Sequence, residues 1–139
     1  MEPKILVFSC NWDGWSAVEA ATGDGLHYPA SVKIVRVSCL SRLHAGLILK
    51  AFEFRADGVM LVGCEPNSCH FLSDAGCIER EYEKTRRLLG MLGINQERLA
   101  LVQLPAFDGQ RFVDEIAKLS DRISKMTTRR RTKKAAVAE

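Results

Sequence analysis

Short apolar runs alternate along this chain with longer stretches in which apolar residues recur every three or four positions. Ile5-Leu6-Val7-Phe8 is unbroken, Val32 to Val37 alternates, Val59-Met60-Leu61-Val62-Gly63 is unbroken again, and Leu99 to Leu104 is mostly apolar. Aliphatic and β-branched runs of this length, bounded by turn residues, predict four strands. An unbroken run suits a strand buried on both faces, and an alternating one a strand with one face toward water.

The intervening stretches have the helical period. Ser16 to Ala21 predicts a short helix capped near Asp13 or Ser16, followed by a loop rich in Gly23, Asp24, Gly25 and Pro29. Leu43, Leu47, Ile48, Ala51 and Phe52 form the stripe of a second helix, with Ser41 as its cap and an end near Arg55. The clearest helix runs from Ile78 to Leu92, with Tyr82, Leu88, Leu89 and Leu92 on its apolar side and Gly93 as C-cap. Asp108 or Gly109 opens a last helix carrying Phe112, Ile116, Leu119 and Ile123. Beyond Met126 the apolar period stops, and a disordered tail is expected.

Strand and helix thus alternate four times, with connections too long for hairpins. That order predicts a single α/β domain, a four-stranded mostly parallel sheet with helices on both faces, flavodoxin-like or Rossmann-like. The expected boundaries are 1-125 for the domain and 126-139 for the basic tail. In such open sheets the functional crevice lies outside the carboxyl ends of the strands, near the point where strand order reverses.

Composition limits what can sit in that crevice. The 139 residues suit one domain, and 47% apolar with 27% charged residues is ordinary for a globular chain. No apolar run approaches the roughly 20 residues of a membrane helix, and Glu2 and Pro3 stand where a signal peptide would be basic, so a cytoplasmic protein is expected. The net charge of +3 is uneven: residues 126-139 carry +4 and the other 125 carry −1. A terminal charge run is usually solvated, and the body shows no basic stripe with interleaved aromatics, which argues against nucleic acid.

The five cysteines change the picture most. Cys10, Cys39 and Cys64 each end a strand-like run, which predicts that all three stand at one edge of a parallel sheet. Cys69 follows in the loop Cys64-Glu65-Pro66-Asn67-Ser68-Cys69 and brings the thiols that could meet there to four. A lone cysteine ending a strand is usually packing. Three strand ends plus a neighbouring thiol point instead to metal or redox chemistry, since cytosolic cysteines seldom form structural disulfides.

Four thiolates suit either zinc or an iron–sulfur cluster. The separations of 29, 25 and 5 residues contain no Cys-x-x-Cys knuckle, so the fold itself would have to assemble the site. Gly63 is expected to leave room for a bulky cofactor, and the loops after Cys10 and Cys64 to aim backbone N–H groups at sulfur. Thiol catalysis of the phosphatase kind needs an arginine six residues after the cysteine, and Ser16, Ala45 and His70 stand there instead. No glycine-rich phosphate loop is present. His70 is a possible ligand or hydrogen-bond donor and His27 and His44 are read as structural, while Trp12 and Trp15 suit packing, shielding or a partner contact.

Several blocks resemble one family. Pro3 to Trp12, Tyr28-Pro29 ahead of Val35 to Cys39, Leu49 to Glu53 with Ala56 to Val59, and above all Gly63-Cys64-Glu65-Pro66-Asn67-Ser68-Cys69-His70 are similar to the delta subunit of methyl-viologen-reducing hydrogenases, as is the helix of Arg86, Leu88 and Leu89. The resemblance covers nearly all of residues 3 to 125. It implies a [2Fe-2S] cluster and electron relay between a hydrogenase, formate dehydrogenase or similar donor module and the FAD-carrying subunit of a heterodisulfide-reductase-type complex, with no bond chemistry in the relay protein itself. By motif position it implies Cys10, Cys39, Cys64 and Cys69 as ligands.

One position departs from the family. Its members often carry a second cysteine three residues after the first, and here Asp13 stands there. Four cysteines remain without it, so an all-cysteine cluster is expected, with Asp13 as a possible oxygen ligand and Cys77 in reserve. The alternative reading is a cytosolic thiol-redox or zinc-binding regulatory module.

Overall fold

The computed structural model describes residues 2–66 and 77–138, with 128–138 as backbone alone. Four strands, β1 (Ile5–Cys10), β2 (Val32–Val37), β3 (Gly58–Cys64) and β4 (Leu99–Leu104), form one sheet in the order β2-β1-β3-β4, every pairing parallel. Helices α1 (Asp13–Gly23), α2 (Ala45–Glu53), α3 (Cys77–Met91) and α4 (Gly109–Ala138) supply the crossovers. This is the α/β architecture expected of a flavodoxin-like or Rossmann-like domain.

The hydrophobic pattern explains the strand order. β3 is buried from Gly58 to Gly63, as an unbroken apolar run between two partner strands must be. The alternating β2 lies at the edge, with Val35 41% exposed. Helices α1 and α4 cover one face, where Val18, Ala21, Phe112, Ile116, Leu119 and Ile123 meet Val7, Met60 and Val62. Helices α2 and α3 cover the other through Ile48, Ala51 and Leu89, which pack on Phe8, Val59 and Leu61.

Two local expectations need correction. Ser41 does not cap α2: the chain first makes a short 3-10 turn at Leu40–Arg42, and α2 begins after His44, whose Nδ1 accepts the Leu47 N–H at 3.3 Å. On α3 the buried residues are Thr85 and Leu89, while Leu92 is exposed. Thr85 is tolerated inside because its hydroxyl donates to the Glu81 carbonyl at 2.6 Å. The backbone of α4 continues to Ala138. Arginine, lysine and alanine are strong helix formers, and extending an existing helix costs far less than nucleating one.

Candidate functional site

The sheet reverses its winding at β1: the chain steps from β1 to β2 on one side, then to β3 and β4 on the other. The carboxyl ends of β1 and β3 therefore flank the crevice where parallel sheets place their ligands. Cys10 and Cys64 end these two strands. Their Sγ atoms lie 3.8 Å apart, with Cys10 buried to 2% exposure and Cys64 half-buried.

Helix α1 starts three residues beyond Cys10, and its first turn meets the sulfurs. The N–H of Gly14 donates to Cys10 Sγ at 3.1 Å, and the N–H of Asp13 faces the Cys64 sulfur. Burial pushes the Cys64 thiol up to about 12, the nearby Cys10 sulfur and Asp13 carboxylate push the same way, and the Asp13 N–H opposes them. Cys64 is thus held as a neutral thiol, with backbone donors aimed at both sulfurs, and a bound metal would displace its proton. Ser9, fully buried behind the pair, donates its hydroxyl to the Cys10 carbonyl at 3.1 Å.

Cys39 belongs to the same edge but is held differently. It lies two residues past the end of β2, is 7% exposed, and its Sγ accepts the Ser41 hydroxyl at 3.2 Å. The next residue, Leu40, packs on β3: a Cβ at Gly63 would come within 2.4 Å of Leu40 Cδ1. The space expected at Gly63 for a cofactor is therefore taken by a leucine, which fastens the Cys39 turn to the strand of Cys64.

Among the described residues no three histidine, cysteine, aspartate or glutamate side chains converge into a metal-holding set. Cys10 and Cys64 come together, and Cys39 stands nearby in the topology without completing a set with them. Cys69 and His70 lie outside the described residues. Cys77, half-buried, opens α3. His44 has the structural role expected of it as a cap, and His27 is exposed on the loop after α1.

The loop after Cys10 is latched to the edge strand. Arg36 of β2 donates from Nε to Asn11 Oδ1 at 3.1 Å and from its terminal nitrogen to the same oxygen, and its guanidinium sits 4.3 Å from the Trp15 ring centroid. The Trp15 indole N–H donates to Glu19 at 2.8 Å. Sequence reasoning expected a backbone donor after Cys10 without singling out Gly14, and it missed the contacts of Ser41, Leu40 and Arg36. Only Gly14 had a signal, as a turn glycine between a strand and a helix.

The family described as methyl-viologen-reducing hydrogenase, delta subunit, matches residues 5–127. The chain is similar to the iron-sulfur subunit of the vhc F420-non-reducing hydrogenase of Methanococcus voltae, 37% identical over 131 residues that span 90% of this chain and 87% of that one. The corresponding vhu iron-sulfur subunit of Methanococcus maripaludis is 32% identical over 125 residues, spanning 90% and 93%. One subunit of the ferredoxin:CoB-CoM heterodisulfide reductase of Methanosarcina mazei is 25% identical over 114 residues, which cover 82% of this chain but 14% of that much longer one.

Proposed function

The chain belongs to the methyl-viologen-reducing hydrogenase delta-subunit family, and from that premise we propose that it is a non-catalytic electron-transfer subunit holding a [2Fe-2S] cluster on Cys10, Cys39, Cys64 and Cys69. It relays electrons between a hydrogenase or formate dehydrogenase type module and a heterodisulfide-reductase-like flavoprotein carrying FAD. The cluster-bearing unit is residues 1-125, and the location is cytoplasmic. No helix among the described residues is long and apolar enough to cross a membrane, which agrees with that location.

The observation that carries this reading is the pair of sulfurs 3.8 Å apart. Two thiolates on one tetrahedral ion, with metal–sulfur bonds of roughly 2.3 Å, are separated by about 3.8 Å. The donor set fits as well. Sulfur ligands bear negative charge, and the first-turn amides of α1 are the groups that stabilise it. Such a cluster supplies reversible one-electron transfer when bound. The protein's part is to hold the thiols in register through β1 and β3, exclude water with Phe8, Leu40 and the α1 turn, and aim its amides at the sulfurs. The relatives' names, iron-sulfur subunits of hydrogenases and one subunit of a heterodisulfide reductase, support the choice of donor and acceptor.

Anaerobic purification with iron and sulfide analysis tests this. Two irons and two sulfides per chain, a visible charge-transfer spectrum and an EPR signal on one-electron reduction are expected. Cys10→Ser, Cys39→Ser, Cys64→Ser and Cys69→Ser should each lower iron content or change the spectrum, and Cys77→Ser should do neither. Bound zinc without visible absorbance would favour a structural-metal module, and loss of the cluster in Cys77→Ser alone would overturn the ligand assignment.

A further inference from the structure

Gly14 sits where no other residue fits. A Cβ at this position would lie 2.8 Å from the Val62 carbonyl oxygen, 2.9 Å from Ser9 Oγ and 3.1 Å from Cys10 Sγ. The first of these is backbone of an inner strand, and the second is a fully buried hydroxyl already bonded to the Cys10 carbonyl. Neither can swing aside. Only glycine lets the first turn of α1 press against the carboxyl ends of β1 and β3, and that approach brings the Gly14 N–H to 3.1 Å from Cys10 Sγ.

Helix capping does not account for the arrangement. The N-cap residue Trp12 makes no side-chain cap hydrogen bond. The first amides of a helix need acceptors from outside it, and here a cysteine sulfur serves as one. The positive end of the α1 dipole points the same way.

We infer that Gly14 is a positioning residue for the redox group: its missing side chain seats the N-terminus of α1 on Cys10, and the resulting N–H···S bond raises the reduction potential. This rests on the reading of Cys10 as a cluster ligand. Reduction adds one electron, and the extra negative charge is shared with the ligand sulfurs. A hydrogen bond to a more negative acceptor is stronger, so the donor stabilises the reduced form more than the oxidised one. A methyl group at position 14 must push the turn off the strand ends, lengthening the N–H···S contact and lowering the potential.

The test is a potentiometric titration with dithionite, followed by EPR, on wild-type, Gly14→Ala and Gly23→Ala proteins. Gly23 ends the same helix, and a Cβ there meets nothing within 4 Å. Gly14→Ala is expected to shift the ratio of reduced to oxidised protein at fixed potential by roughly tenfold toward oxidised, equivalent to 59 mV for a one-electron couple, while Gly23→Ala stays at the wild-type value. Full iron content with an unchanged potential in Gly14→Ala overturns the inference. Should that variant retain no iron, wild-type protein labelled with 15N-glycine decides: a 15N hyperfine coupling in the reduced state supports the contact, and its absence overturns it. Wild-type protein without iron would defeat the cluster reading itself, which separates the two failures.

Discussion

The inner strands β1 and β3 and the edge strand β2 hold their cysteines by different means. β1 and β3 are paired on both sides, and their core residues are sealed by helices on both faces. Cys10 and Cys64 inherit their positions from that ladder, so their sulfurs meet without help from any loop. β2 is paired on one side, its ladder ends at Val37, and Cys39 comes afterward. It is fixed by Ser41 on its sulfur and by Leu40 lying over Gly63. The core thus sets the thiol pair, whereas contacts made after the strand has ended, those of Leu40 and Ser41 among them, set the third cysteine.

The comparison breaks most directly in the core. Leu61→Ala on β3, fully buried, is expected to destabilise the protein by about 2–5 kcal/mol in urea unfolding. A loss well below that would mean the inner ladder is not what holds Cys64. Next in size, Gly63→Ala should cost about 1–3 kcal/mol by overpacking against Leu40. Adding Leu40→Ala should recover part of that loss, and strictly additive costs in the double-mutant cycle would show that the two residues do not touch.

The opposite edge gives a smaller effect. Tyr82 on α3 donates its hydroxyl to the Leu99 carbonyl at the start of β4, so Tyr82→Phe should cost about 1 kcal/mol. Burial raises its phenol above the ordinary 10.0. The fold therefore holds this proton more tightly than the unfolded chain does. Its contribution to stability is complete below pH 10 and declines as pH rises above that value. Ultraviolet difference titration of wild type against Tyr82→Phe should show the Tyr82 phenol ionising above pH 10. Smallest of all, Val35→Ala on exposed β2 should change stability by no more than about 0.5 kcal/mol, and a cost matching Leu61→Ala would erase the difference between inner and edge strands.

What was legible in the sequence follows the same division. Features of long period were readable: all four strands, the stripe of Phe112, Ile116, Leu119 and Ile123, and the meeting of Cys10 with Cys64, which needs only that two strands end together. Features set by one close contact were not. Ser41 has the chemistry of a helix cap, and the 3-10 turn before α2 sends its hydroxyl to Cys39 instead. Gly63 read as open space because a sequence does not show which side chain will fill it. The burial of Thr85 came from a local hydroxyl bond that outweighs its polarity. Cys69 falls outside the described residues, so its place in the proposed ligand set rests on the motif.

The parallel sheet also decides where the polypeptide enters and leaves. Lys4, just ahead of β1, bonds to Asp57, just ahead of β3, and Arg122 of α4 reaches Glu97, just ahead of β4. All of these contacts lie at the amino edge of the sheet, opposite the sulfurs. The carboxyl edge therefore carries the thiols, and the amino edge carries the contacts that tie the strand starts together.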